Sequence, residues 1–106
     1  MGAGRGASAG MPALVEKAGK NPGAEYPIRK DRTTIGRHRD SDIFLEDLAV
    51  SRLHTSIIRD ASGQCVLRDE NSANGTLVNG QRVTEQTLRD GDEVQVGQTT
   101  LVFQRH

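Results

Sequence analysis

Apolar side chains occur in short runs along the chain, and turn-forming residues separate these runs. Residues 93–96 alternate polar and apolar side chains, which is typical of a half-buried strand, and residues 99–104 place Leu101 and Phe103 on one face. No segment has the i, i+3, i+4, i+7 spacing of apolar residues that an amphipathic helix requires. The pattern therefore predicts an all-β fold, a sandwich of two antiparallel sheets.

Turn chemistry places two hairpins and one edge strand within this pattern. Asn79-Gly80 is the most favoured two-residue hairpin turn, and residues 61–63 turn a second hairpin. Pro27 cannot donate a ladder hydrogen bond, so its strand is expected at a sheet edge. Residues 84–92 are predicted to be irregular. The predicted strands cover residues 13–18, 25–29, 33–35, 43–45, 54–60, 64–68, 76–78, 81–83, 93–96 and 99–104.

Length and composition narrow the classes of protein that fit. The chain has 106 residues, which indicates one domain, and we expect residues 1–12, rich in Gly, Ala and Ser, to form a flexible tail or linker before a domain of residues 13–106. Lys+Arg and Asp+Glu number 14 each, and aromatic residues make up 3%. Nucleic acids and anionic membranes attract basic proteins, and base stacking needs aromatic side chains, so neither partner is expected.

The only cysteine, Cys65, excludes an intramolecular disulfide and favours a reducing, cytoplasmic location. No apolar run approaches the ~20 residues that span a bilayer. The sequence is therefore expected to form a cytoplasmic monomer.

Polar residues gather at predicted strand ends and turns. Arg37 offers a planar fork of donors that suits a phosphate or carboxylate, and Ser51 adds a hydroxyl donor. The side-chain amide of Asn74 can donate and accept, which matches the backbone of an extended peptide. Each residue also has a plain structural interpretation, as a solvated arginine or a turn residue. Together they predict an anion-binding site beside a group that reads a peptide backbone.

Catalytic and metal-binding interpretations fit less well. Ser51 and His54 could be a nucleophile and its base, but no G-x-S-x-G pattern surrounds the serine. His38, His54, His106 and Cys65 lack the spacing of metal ligands. His54 is expected to be a scaffold residue that holds the Ser51 loop, and Cys65 a buried strand residue. We expect no enzyme activity, metal or cofactor.

The ordered series of polar pairs resembles the forkhead-associated (FHA) domain, and residues 40–43 and 50–52 resemble bacterial members. The resemblance covers residues 13–105 and implies an eleven-stranded β-sandwich whose loops at one end bind a phosphothreonine peptide. It is carried by Gly36-Arg37, Ser51-Arg52-Leu53-His54, Asn74-Gly75, Asn79-Gly80 and residues 91–97.

The resemblance also implies a role for each residue of the site. Arg37 contacts the phosphate or the adjoining peptide main chain, and Ser51 donates its hydroxyl to the phosphate. Arg52 adds a backbone amide or its side chain, and Asn74 holds the peptide backbone. Ala73 stands where some members carry threonine, so that hydroxyl contact is absent and wall contacts are left. The residues expected to shape and support the loops are Gly36, His54, Gly75 and Asn79.

The expected function is a phosphothreonine-dependent interaction module in Ser/Thr kinase signalling. Its partner would be a phosphothreonine-containing protein or peptide, such as a Ser/Thr kinase or its substrate. The alternative is a structural FHA domain that holds a larger protein or assembly together without phosphate. Residues 1–32 contain no threonine, so a phosphorylated threonine of this segment cannot occupy the site.

Overall fold

The structure is a computed structural model that describes residues 11–105. These residues form eleven strands in two sheets, which confirms the expected all-β sandwich. In this part of the chain there is no helix that could cross a bilayer. The strands are β1 (Ala13–Ala18), β2 (Glu25–Pro27), β3 (Arg32–Gly36), β4 (Ile43–Phe44), β5 (Thr55–Arg59), β6 (Cys65–Asp69), β7 (Thr76–Val78), β8 (Gln81–Val83), β9 (Glu85–Thr87), β10 (Glu93–Val96) and β11 (Thr99–Gln104).

The two sheets have the strand orders β2-β1-β11-β10-β7-β8 and β4-β3-β5-β6-β9. Both predicted hairpins, β5–β6 and β7–β8, are present. Asn79 and Gly80 join β7 to β8 with φ angles of 51° and 84°, and positive values at both positions define a type I′ turn. The strand that contains Pro27 lies at a sheet edge, as predicted.

Two features of the sheets differ from the sequence predictions. Residues 84–92 were predicted to be irregular, but they contain β9, which pairs with β6. All three side chains of β9 are exposed, so the strand carries no apolar periodicity. In addition, β3 and β4 pair in parallel, an exception to the predicted antiparallel sheets.

The core consists of alternate apolar side chains from both sheets. In β11 the buried and half-buried residues alternate strictly, which confirms that Leu101 and Phe103 share the inner face. Pro12 is buried, and its carbonyl accepts a hydrogen bond from the Ile28 N–H at 2.9 Å. Residues 1–10 of the predicted tail lie outside the described residues. The buried apolar residues are Leu14, Ile28, Ile35, Ile43, Leu45, Val50, Ile57, Cys65, Leu67, Val78, Leu88, Val94, Val96, Leu101 and Phe103.

Candidate functional site

Three loops meet at one end of the sandwich. The first loop (residues 37–42) follows β3, the second loop (residues 45–54) joins β4 to β5, and the third loop (residues 70–75) joins β6 to β7. Arg37 connects the first two, because its backbone N–H donates to the Ser51 carbonyl and its Nε to the Val50 carbonyl, both at 3.0 Å. The guanidinium of this exposed residue is thus anchored at one nitrogen.

Gly36 allows the first and second loops to approach this closely. A Cβ atom at this position would lie 2.1 Å from the Arg52 carbonyl oxygen. The glycine is buried, and its own carbonyl accepts a hydrogen bond from the Leu45 N–H at 2.9 Å. A side chain here would push the backbone of the second loop outward.

His54 joins the second and third loops from inside the protein. Its Nδ1 accepts the Ser51 backbone N–H at 3.0 Å, and its Nε2 lies 2.8 Å from the Gly75 carbonyl oxygen. Because a carbonyl can only accept, Nε2 carries the hydrogen and the ring is neutral. The imidazole is fully buried, and both of its nitrogens are engaged by backbone groups rather than by the Ser51 hydroxyl.

Two further contacts hold the third loop against the second. Ser51 Oγ accepts the Ala73 N–H at 3.0 Å. Asn74 Nδ2 donates to the Ala49 carbonyl at 2.8 Å. The structure therefore brings Arg37, Ser51, Ala73 and Asn74 together on one set of cross-linked loops.

Of the remaining residues of the expected site, Arg52 and Gly75 belong to these loops, whereas Asn79 lies at the other end of β7. Arg52 is exposed, and its carbonyl accepts the His38 N–H at 3.2 Å. Gly75 has a φ angle of 85°, and a Cβ atom there would lie within 2.8 Å of the Arg82 guanidinium carbon. Asn79 lies in the β7–β8 turn, where its Nδ2 donates to the Asp92 carboxylate and its Oδ1 accepts the Glu93 N–H, both at 3.0 Å.

Asp69 anchors a polar network beneath the third loop that the sequence analysis missed. Its carboxylate accepts the Ser72 hydroxyl at 2.6 Å, the Ser72 N–H at 3.1 Å and the Thr76 hydroxyl at 2.8 Å. Thr76 Oγ1 also lies 2.8 Å from Thr55 Oγ1, and both threonines are fully buried. Burial by itself raises the pKa of Asp69, but the hydrogen bonds from Ser72 and Thr76 outweigh it and hold that pKa below its usual value.

This network fixes the position of Gly75 and links the two sheets. Ser72 Oγ accepts the Gly75 N–H at 2.9 Å while it donates to Asp69. Thr55 belongs to one sheet and Thr76 to the other. The only signal in the sequence is an aspartate three residues before a serine, which is common in turns.

The three loops expose three arginines together with three carboxylates, and the arginines are the groups that suit an anion. Arg37, Arg39 and Arg52 are exposed, and none of them forms a salt bridge with a carboxylate among residues 11–105. Unpaired guanidinium groups beside hydroxyl and amide donors form a surface suited to an anion.

Comparisons with known proteins agree with this architecture. Residues 17–106 match the family model described as inner membrane component of T3SS, cytoplasmic domain. The chain is 45% identical over 95 residues to an oxoglutarate dehydrogenase inhibitor of Corynebacterium efficiens, and the match covers 90% of this chain and 66% of that protein. The chain therefore spans less than the full length of this relative.

Two solved structures superpose closely on the sandwich. A domain studied for phosphothreonine-dependent FHA domain interactions has a TM-score of 0.83 and 35% identity, with 91% of this chain and 97% of that chain covered. Mycobacterium tuberculosis EmbR, in complex with a low affinity phosphopeptide, has a TM-score of 0.83 and 34% identity, with coverage of 91% and 24%. The chain belongs to the matched family and is an FHA domain, which confirms the resemblance seen in its sequence.

Proposed function

We propose that this domain binds phosphothreonine-containing peptides and acts as an interaction module in Ser/Thr kinase signalling. The observation that carries the proposal is the convergence of Arg37, Ser51 and Asn74 on three loops that hydrogen-bond to one another. The phosphothreonine-dependent FHA domain and the phosphopeptide complex of EmbR support it, because both are similar to this chain over 91% of its length.

The hydrogen bonds already made by these side chains leave the groups that a phosphopeptide needs. Ser51 Oγ accepts a backbone N–H, so its own hydrogen is free to donate to a phosphate oxygen. Arg37 is anchored to Val50 through Nε, which directs its terminal nitrogens to the phosphate. Asn74 uses one N–H on Ala49, and its carbonyl oxygen and second N–H can bind a peptide backbone. Arg52 adds charge at the rim, and Ala73 contributes a wall without a hydroxyl.

The expected affinity is that of a reversible reader. A hydrogen bond to a charged group contributes about 1.5–3 kcal/mol net. Two to four such bonds, reduced by the cost of ordering the peptide, leave ~8 kcal/mol, which corresponds to a micromolar complex.

The domain has a regulatory rather than a catalytic role in this proposal. The engagement of both His54 nitrogens by backbone groups leaves no base directed at the Ser51 hydroxyl. The similarity to an enzyme inhibitor agrees with regulation. We place this activity in the cytoplasm, with a Ser/Thr kinase or its phosphorylated substrate as the partner.

Isothermal titration calorimetry with one peptide in phosphothreonine, phosphoserine and unmodified forms tests the proposal. A degenerate phosphothreonine library supplies the peptide. We expect micromolar binding of the phosphothreonine form, loss of binding in Arg37→Ala, and unchanged binding in the charge-matched Arg89→Ala. The N–H of the preceding residue, Leu88, donates a hydrogen bond to the carbonyl of Cys65 at the start of β6. Arg89 therefore lies toward the end of the sandwich that is away from the three loops. Absence of binding to every library member would favour the phosphate-independent structural role.

A further inference from the structure

Asp47 connects the second loop to the turn between β10 and β11. Its Oδ2 accepts the Gln98 N–H at 2.8 Å, and its Oδ1 accepts the Ala49 N–H at 2.9 Å. Its backbone carbonyl also accepts the Val50 N–H at 2.9 Å. One residue therefore fixes its own loop and joins it to a turn that is 51 positions away in sequence.

The two segments are in close contact where the carboxylate lies. Gly97 has a φ angle of 60°, and a Cβ atom there would be 2.6 Å from Asp47 Oδ2 and 2.7 Å from a methyl carbon of Val50. This turn of β10–β11 thus packs directly on the loop that carries Ser51. The carboxylate fills the contact and satisfies both backbone donors.

The residues that Asp47 fixes are those that hold the side chains of the binding site. The Ala49 N–H donates to the Asp47 carboxylate, and the Ala49 carbonyl accepts the side-chain amide of Asn74 at 2.8 Å. The carbonyl of Val50 accepts Nε of Arg37 at 3.0 Å. A shift of residues 49–50 would therefore move both side chains.

The chemistry of the contact requires a carboxylate. The backbone hydrogen bonds from Gln98 and Ala49 hold the pKa of Asp47 below its usual value, so the group is ionised at neutral pH. Asparagine has the same shape but only one acceptor oxygen. The NH₂ group of asparagine would face the backbone N–H of Gln98 or of Ala49, and because both groups are donors they would move apart.

We propose that Asp47 is a positioning residue of the peptide-binding site, one that clamps the second loop to the β10–β11 turn and thereby sets Asn74 and Arg37. The inference rests on the proposed phosphothreonine binding and extends it to a residue that does not contact the peptide.

The test compares Asp47→Asn with a matched substitution elsewhere. Asp60→Asn is the control for a remote Asp-to-Asn change, because Asp60 also accepts backbone N–H groups, those of Ser62 and Gln64 in the β5–β6 turn, but both reach its single oxygen Oδ1. We expect Asp47→Asn to weaken phosphothreonine-peptide binding about tenfold, the effect of about 1.4 kcal/mol. Asp60→Asn should leave the affinity within about twofold of the wild type.

A second readout follows Asn74 directly and needs no peptide. In ¹⁵N-¹H spectra of the free protein, the side-chain NH₂ resonances of Asn74 should shift in Asp47→Asn and stay in place in Asp60→Asn. Unchanged affinity, or unchanged Asn74 resonances, in Asp47→Asn would overturn the inference. If the wild type binds no phosphothreonine peptide, the proposed function fails by itself, and the Asn74 resonances still decide whether the clamp exists.

Discussion

Gly36 is the position where a single methyl group should do most damage to the site. An alanine Cβ would lie 2.1 Å from the Arg52 carbonyl oxygen, a backbone atom that cannot move aside alone. We expect Gly36→Ala to lower the free energy of unfolding by about 1–3 kcal/mol, the usual cost of overpacking, and to abolish peptide binding. Urea denaturation and calorimetric titration measure the two effects.

Gly80→Ala separates this clash from backbone strain. Gly80 has a φ angle of 84°, but among residues 11–105, its two chain neighbours aside, no atom lies within 4 Å of the position of its Cβ. The variant should lose about 1–2 kcal/mol of stability from the left-handed conformation and keep its affinity for the peptide. Wild-type affinity in Gly36→Ala would show that the approach of the two loops is not required.

Arg37 and Ser51 should each carry a measurable share of the binding energy. We expect Arg37→Ala and Ser51→Ala each to weaken phosphothreonine-peptide binding by about 2 kcal/mol or more, because each removes one partner of a charged hydrogen bond. Ser51→Ala also removes the acceptor of the Ala73 N–H, so the third loop of this variant should be held less firmly against the second loop. Calorimetry on the two variants checks the assignment, and unchanged affinity in both would refute it.

Asp69 should make the stability of the fold depend on pH through its contacts with the third loop and β7. Its folded-state pKa lies below that of the unfolded chain, about 3.9, because Ser72 and Thr76 donate to the carboxylate more strongly than burial opposes its charge. The ionised carboxylate therefore stabilises the fold above pH ~4, and this contribution is lost as the pH falls through the lower folded value. Wild-type stability should decline in that window.

Asp69→Asn should remove part of that decline. The variant keeps an acceptor for the hydroxyls but cannot titrate, and at pH 7 it should be less stable by about 1–3 kcal/mol because the Ser72 N–H loses its partner. Urea denaturation from pH 7 to pH 3 measures both changes. A wild-type slope of stability against pH in Asp69→Asn would contradict the role of this network.

Strands marked by apolar side chains or by a neighbouring hairpin turn could be predicted from the sequence, and β9, which has neither mark, was missed. β10 and β11 carry a strict period of two and were placed correctly. β9 has only exposed polar side chains, and its pairing with β6 through backbone groups leaves no mark on the sequence. The parallel ladder between β3 and β4 is two residues long, and tertiary geometry rather than local pattern decides its direction.

The residues of the candidate site also divide into those that the sequence indicated and those that it did not. The glycine pairs and the polar residues of the motif indicated which side chains to consider, since each follows a strand or turn signal. Asp47 and Asp69 were missed because an aspartate in a polar loop looks the same whether it is solvated or bonded to a distant backbone. Their partners, such as Gln98 and Thr76, become neighbours only when the sheets have formed.

Cys65 offers a way to follow the stability of the sandwich as a unit. The side chain is fully buried in the core, and burial raises the pKa of its thiol, an effect that Arg105 only partly opposes. Because the thiolate is the reactive form, the native protein should react slowly with a thiol reagent, and the reaction should proceed through opening of the fold. The rate in increasing urea compared with the rate in water measures this protection, and rapid labelling of the native protein would contradict it.

The same thiol should report binding at the far end of the molecule. A ligand that binds only the folded state adds about 2.7 kcal/mol of stability at a concentration of 100 Kd, which slows labelling through global unfolding about a hundredfold. The phosphothreonine peptide should therefore protect Cys65, although the residue begins β6 while the loops follow its end. Arg37→Ala should label at the same rate with and without peptide. If the labelling rate of Cys65 in the wild type is the same with and without peptide, β6 opens locally, without release of the binding loops.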